Sequence, residues 1–301
     1  MDSHEHLFIT GGVALQRFPE LRLDDEEACV RELGEVADAG GRVVVEATPM
    51  GLGRAPRSMA EAARRSGVTI VAATGVHRSA FYLHDFWVYG TDAERLAPFL
   101  VADLTEGIDA LDYRAPWVER TNVRAGIIKV GIDLFRITPA QQTVIEAAGA
   151  AHAATGAPLQ VHLEAGTFGV EVLERLAAAG VPATSVALVH ADRNPDPRYL
   201  RELAATGAFL LFTTMGRVKH GPDSLALALI SDLAEAGFLD RLLVGGDMAR
   251  RDMWRSHGGG PGLAWVFSGF LARLRREMGD EVADAIALSN PARHLAWKGP
   301  T

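Results

Sequence analysis

The segment Ala125-Gly126-Ile127-Ile128-Lys129-Val130, the helical stretch from Pro139 to Thr155 behind it and the run Leu159-Gln160-Val161-His162-Leu163 together read as strand, helix, strand. Both short runs are apolar almost throughout, as expected of strands covered on both faces in a parallel sheet. The same unit repeats in both directions. Upstream lie Met1-Asp2-Ser3-His4-Glu5-His6-Leu7-Phe8-Ile9 as a first strand, a helix from Asp24 to Ala39 stopped by Gly40-Gly41, and a strand Arg42–Ala47. A short helix Ser58–Ser66, a strand Thr69–Thr74, an irregular aromatic stretch His77–Tyr89 and a helix Asp92–Ile108 follow. Downstream come a helix to Ala179, strand Ser185–His190, helix Tyr199–Thr206 and strand Phe209–Phe212. A helix Ser224–Gly237, strand Leu242–Asp247 and helices Gly262–Met278 and Glu281–Leu288 close the chain.

Eight strands alternating with helices predict an α/β fold, a (β/α)8 barrel, as one domain over residues 1–301. The alternative is an open doubly wound sheet, which would want a Gly-rich phosphate loop after an early strand, and none is present. No Gly/Ser-rich or Pro-rich linker divides the chain.

A formal net charge of −8 argues against a general nucleic-acid binder, so any local cluster of Arg and Lys needs a local reason. Cys29 is the single cysteine, which forbids an intrachain disulfide and fits a reducing compartment. No apolar run is long enough to span a bilayer and the N-terminus lacks a basic-then-apolar signal pattern, so the expected location is cytoplasmic, without membrane partners.

In a barrel of this kind, polar residues at the carboxyl ends of strands converge on one mouth. Those ends carry His4 and His6 on the first strand, Lys129 on the fourth, His162 on the fifth, His190 on the sixth and Asp247 on the eighth. His4 and His6 alternate, so both imidazoles leave one face of the sheet. Buried separately, each of these groups would need its own compensation; gathered round divalent ions, the imidazoles and the carboxylate compensate together. Lys129 is the odd member, because an ammonium repels a dication. Deprotonated by burial, its amine can add carbon dioxide to give a carbamate, an anionic group with two oxygens; the alternative is a lysine that reaches solvent from a strand end or pairs with Asp247.

The ordered set His4-Glu5-His6, Lys129, His162, His190 and Asp247 resembles the phosphotriesterase family of the amidohydrolase superfamily. Arg124-Ala125-Gly126-Ile127-Ile128-Lys129 is similar to that family's carboxylated-lysine strand, and Asn290-Pro291-Ala292-Arg293 to its closing helix. The resemblance implies two divalent ions, zinc or else manganese, cobalt or iron. His4, His6 and Asp247 would hold the more buried ion and His162 and His190 the other, with the carbamate of Lys129 between them and Asp247 as catalytic base. The chain starts almost on its first strand, so an N-terminal segment covering the barrel floor or building a dimer is expected to be missing.

Such machinery opens esters of carbon or phosphorus alike, so the substrate is read from the loops. Arg193, Lys219 and Arg250 lie at the mouth, with Arg217 and Arg251 nearby, and suggest a small anionic substrate. The alternative is solvated charge, with Arg251 or Arg255 paired to Asp252. The pattern is similar to the branch of the family that hydrolyses lactones of phosphorylated sugars, although Met253-Trp254 stands where that branch would have an aromatic hydroxyl. In the stretch His77–Trp87, Tyr82 either orients a substrate oxygen or packs on the rim. The glycines of Ser256–Gly262 either bring amides to an anion or form a rim loop. Glu46 is a candidate partner for a ligand histidine, Thr48 shares its strand end, and His152, His220 and His294 are structural or surface residues.

The first expectation is therefore a binuclear-metal lactonase acting on an anionic lactone. An organophosphate triester hydrolase is the second. A non-catalytic barrel that binds a small ligand is the third, and a homodimer is compatible with any of them.

Overall fold

In the computed structural model, which describes residues 1–12, 14–82 and 86–299, eight parallel strands follow one another round a barrel in sequence order. They are β1 (Asp2–Glu5), β2 (Val43–Glu46), β3 (Thr69–Val76), β4 (Ala125–Ile132), β5 (Leu159–Leu163), β6 (Val186–Val189), β7 (Phe209–Phe212) and β8 (Leu242–Val244). Each neighbour pair is parallel, which requires the helical crossovers that intervene. The amide of Asp247 donates to the carbonyl of His4 at 3.0 Å and joins the last strand's end to the first. The ring is thus a (β/α)8 barrel, and the open sheet is set aside.

The local reasons are legible in the helices. Asp25 caps Glu26–Asp38 by accepting from the amide of Ala28. Thr138 and Gln141 form a reciprocal capping box at the start of Pro139–Thr155, and Gly156, left-handed at φ 77°, ends it. The expected first strand is shorter than its apolar run, since the ladder stops at Glu5. The last helices are also more broken than their periodicity suggests, with wide turns at Val266–Leu271 and Ala285–Ser289.

Strand alternation then sorts the side chains. Val45, Ala73 and Ile127 form one small buried cluster, with Leu295 packed against it, and Ala187, Val189, Phe209, Leu211 and Leu243 form another. The opposite faces of the strands pack under the helices in the main core, with Val44, Ala72, Ile128 and Leu188 among them. Lys129 shares the parity of Ile127, and His162 that of Gln160, so both point inward. Gly75, at φ 98°, is required where β3 meets β4, because a Cβ there would lie 2.0 Å from the carbonyl oxygen of Lys129. Among the described residues no helix is long and apolar enough to cross a membrane.

Candidate active site

The structure brings all six candidate ligands together at the carboxyl end of the barrel, and every one of them is buried. Lys129 Nζ is 3.4 Å from His4 Nε2, and Asp247 Oδ1 lies 3.7 Å from His4 Nε2 and 3.6 Å from His6 Nε2. His190 Nε2 is 2.9 Å from His162 Nδ1. His190 and Asp247 are both left-handed, at φ 68° and 49°, conformations that cost about 1–3 kcal/mol each and gather at functional sites. Strained turns at these two strand ends aim both side chains inward.

The far nitrogen of each imidazole explains the orientation of the near one. His4 Nδ1 is 2.8 Å from Gln160 Oε1, whose own Nε2 donates to the carbonyl of Ser3 at 2.8 Å. That second bond fixes the amide, so His4 Nδ1 must donate and its Nε2 presents a lone pair inward. His6 Nδ1 meets Thr48 Oγ1 at 2.8 Å and His190 Nδ1 meets Thr213 Oγ1 at 2.6 Å, leaving both Nε2 atoms inward. His162 is reversed, with Nε2 at 3.1 Å from Glu164 Oε2 and Nδ1 inward. Among the described residues His4, His190 and Asp247 present ligand atoms within 4.8 Å of one another, a group able to hold a metal ion.

Burial sets the protonation states. It pushes His4 and His190 well below the ordinary histidine range, and His6 and His162 down to about 4, so all four are neutral donors at physiological pH. Burial alone would raise Asp247, but Arg217, His4 and Arg193 outweigh it and hold the carboxyl far below its usual range. Burial lowers Lys129 to about 7 against the pull of Asp247 and Glu46. Its side chain neither reaches solvent nor pairs with Asp247, whose ion-pair partners among the described residues are His4, His6, Arg193 and Arg217.

A cavity of about 270 Å³ opens over this cluster. Arg193, Arg217, Lys219 and Arg250 line it together with His77, Arg78 and Glu164, and Ile9, Phe18, Leu21 and Leu52 add apolar surface. Arg193 Nη2 lies 3.3 Å from Asp247 Oδ2, and Arg217 Nη1 also bonds that oxygen. Arg250 forks onto Asp252 at 3.0 and 2.9 Å, so Arg250 takes the acid expected for Arg251 or Arg255, and Arg255 pairs with Glu35.

Three expectations are corrected here. Tyr82 does not line the cavity; its buried hydroxyl donates to Met50 O and accepts from the His77 amide, both at 2.9 Å, which makes it a latch between two strand ends. The neighbouring Leu83, His84 and Asp85 of that stretch lie outside the described residues. Glu46 touches no ligand histidine, since its carboxylate takes the backbone amides of Leu7 and Thr48, and Thr48 is the side chain that meets His6. The glycines of Ser256–Gly262 form the rim loop, their amides donating to the carbonyls of Asp252, Met253, Trp254 and Arg255, while the amides of Ser256 and Leu263 donate to buried Glu32 at 2.7 and 2.9 Å. His294 is buried, in line with the structural one of its two readings.

Sequence reading also missed Gln160, Thr213 and Glu164, and it named Arg217 and the stretch opening at His77 without the contacts they make. An amide inside the apolar run LQVHL, in phase with His162, was the available signal for Gln160.

The family model for the Phosphotriesterase family matches residues 2–295. The chain belongs to the phosphotriesterase family. This phosphotriesterase-family chain is 31% identical over 309 residues to phospho-furanose lactonase of Mycoplasmopsis agalactiae, covering 99% of this chain and 88% of that protein. It is similar to the solved lactonase from Listeria monocytogenes, with 30% identity, a TM-score of 0.91 and coverage of 99% and 94%. The phosphotriesterase homology protein from Escherichia coli, solved with phosphate in its active site, gives 29% identity, a TM-score of 0.89 and coverage of 98% and 97%. The chain is accordingly a hydrolase acting on ester or lactone bonds of small molecules, which sets aside the non-catalytic barrel.

Proposed function

We propose that this hydrolase is a binuclear-metal lactonase whose substrate is a sugar-type lactone carrying phosphate or another anionic group. The observation that carries the reading is the inward convergence of four imidazole nitrogens, on rings that burial keeps neutral, on Asp247 and a buried lysine that makes no ion pair among the described residues. His4, His6 and Asp247 would hold one divalent ion and His162 and His190 a second, zinc being well suited to this nitrogen and oxygen set. Lys129, lowered to about 7, has a substantial fraction of free amine near neutrality. Addition of carbon dioxide at Nζ with loss of one proton would make it a carbamate, an anionic oxygen donor available to both ions.

When bound, the ions bring water to a nucleophilic state near neutral pH and polarise the substrate's carbonyl oxygen. Asp247 receives the proton of the attacking water. The water oxygen joins the carbonyl carbon, the ring C–O bond breaks, and the proton ends on the ring oxygen to give a hydroxy acid. Arg193 and Arg217, both on Oδ2, keep Asp247 oriented and ionised. Arg193, Lys219 and Arg250 bind the anionic group of the substrate, and the cationic lining in an otherwise acidic protein supports that class. Phospho-furanose lactonase and the phosphate-bound Escherichia coli protein, as relatives, point the same way. A neutral organophosphate triester would give no partner to Lys219, which has no ion pair among the described residues, and ranks second for that reason.

Metal analysis of the purified protein, combined with a pH-indicator screen of sugar lactones with and without phosphate, tests the reading. The expected result is two ions per chain and faster turnover of the phosphorylated set. Equal rates on both sets would remove the anion argument, and activity in metal-free protein would remove the mechanism.

A further inference from the structure

The cavity lining holds two polar groups, His77 and Glu164, to which the proposed mechanism gives no substrate contact. His77 follows the end of β3 and is buried, with its ring 4.6 Å from that of His162 and 4.4 Å from that of Phe81. The backbone amide of Arg78 donates to His77 Nδ1 at 2.8 Å. An amide needs a lone pair to donate to, so Nδ1 is unprotonated and Nε2 carries the hydrogen. Among the described residues that N–H has no acceptor, and the ring lines the cavity.

Glu164 lines the same cavity. Its Oε2 meets His162 Nε2 at 3.1 Å and Arg78 Nη1 at 2.9 Å. Arg78 also reaches Asp133 at 3.5 Å, so the carboxylate is held from two directions. Its Oε1 has no donor among the described residues and borders the cavity. The lining therefore offers one fixed N–H donor and one fixed carboxylate acceptor.

An alcohol accepts and donates at once and suits both groups. A hydrocarbon ring would leave both unpaired, a second anion would repel Glu164, and an ammonium would satisfy Glu164 only. We propose that His77 Nε2–H and Glu164 Oε1 form a hydroxyl-recognition subsite, which selects lactones whose ring carries free hydroxyl groups. The inference rests on the lactonase reading and adds to it: the cations read the anionic group, and His77 with Glu164 reads the hydroxyls.

The test compares a hydroxylated five-membered lactone with its deoxy counterpart, each carrying the same anionic group. It uses native metal-loaded protein and the His77→Phe, His77→Gln and Glu164→Gln variants, with metal content measured for each. Native protein is expected to favour the hydroxylated lactone by about ten- to a hundredfold in kcat/KM, because the deoxy compound strands two polar groups. His77→Phe, at native metal content, should bring that ratio towards one, and His77→Gln, which keeps an N–H donor, should retain part of it. Glu164→Gln should lower the ratio as well. A native enzyme that turns over both lactones equally would overturn the subsite alone, as would a His77→Phe ratio equal to the native one. A metal loss that accounts for equal declines on both substrates would make His77 structural and would also overturn it. Failure of the native enzyme on both lactones would instead remove the lactonase reading, and this inference with it.

Discussion

Replacing Gln160 by Leu removes one fully buried amide and orphans two groups at once. His4 Nδ1–H loses its acceptor at 2.8 Å, and the carbonyl of Ser3 loses its donor at 2.8 Å. Each stranded buried group costs about 1–3 kcal/mol, so the substitution should destabilise the protein by about 2–6 kcal/mol. Against a total stability of about 5–15 kcal/mol that is a large fraction. A second effect falls on metal binding, because the imidazole is no longer held with its Nε2 lone pair inward; the loss of such a partner typically weakens affinity about 10–100-fold. Urea unfolding of metal-stripped protein reads the first effect, and competition with a chromophoric chelator reads the second. Gln160→Glu separates them, since it keeps the acceptor for His4 while losing the donor to Ser3 and burying a charge. If Gln160→Leu left both the unfolding midpoint and the metal affinity at native values, the assignment of the His4 tautomer would be wrong.

Three shorter expectations follow from the same geometry. Tyr82→Phe should lower stability by about 1–3 kcal/mol, since the Met50 carbonyl and the His77 amide both lose their partner, with a modest fall in kcat; a large kcat loss at native stability would put the hydroxyl on the substrate. Lys219→Ala should raise KM for an anionic lactone by more than Arg250→Ala does, because Arg250 already pairs with Asp252 and Lys219 has no ion-pair partner among the described residues; the reverse order in steady-state kinetics would refute it. Burial lowers His294 to about 3, below its unfolded value of about 6.5, so the unfolded chain takes up the proton first as pH falls. The stability that neutral His294 provides is complete above pH 6.5 and declines below it, by about 2 kcal/mol at pH 5. Denaturation of His294→Phe at a series of pH values should show a shallower acid slope, and an unchanged slope would count against the role.

Much of the candidate site is visible in the chain because its proposed ligands interrupt apolar runs. Lys129 in AGIIKV and His162 in LQVHL have no reason to sit in buried strands unless something polar gathers there. What the chain concealed depends on direction and distance. Arg217 and Arg250 have similar standing by sequence offset, yet one turns inward to Asp247 and the other sideways to Asp252. Glu32 lies more than two hundred positions from the loop it clasps, a pairing no local pattern announces. Tyr82 read equally well as substrate contact or packing, and only the position of its hydroxyl separated the two. Glu46 was placed on the right strand end and assigned the wrong neighbour, because Thr48 lies two residues on and shares its parity.

The seam between the first and last strands has a consequence for biosynthesis. The bond from the Asp247 amide to the His4 carbonyl joins two residues of the proposed metal cluster, so on that reading the ring and its chemistry are completed by one docking event. A polypeptide emerging from the ribosome carries five of the six groups long before the sixth arrives. Until then it has an unfinished edge and no hydrolytic power, and truncation ahead of the eighth strand would abolish turnover outright instead of weakening it by degrees.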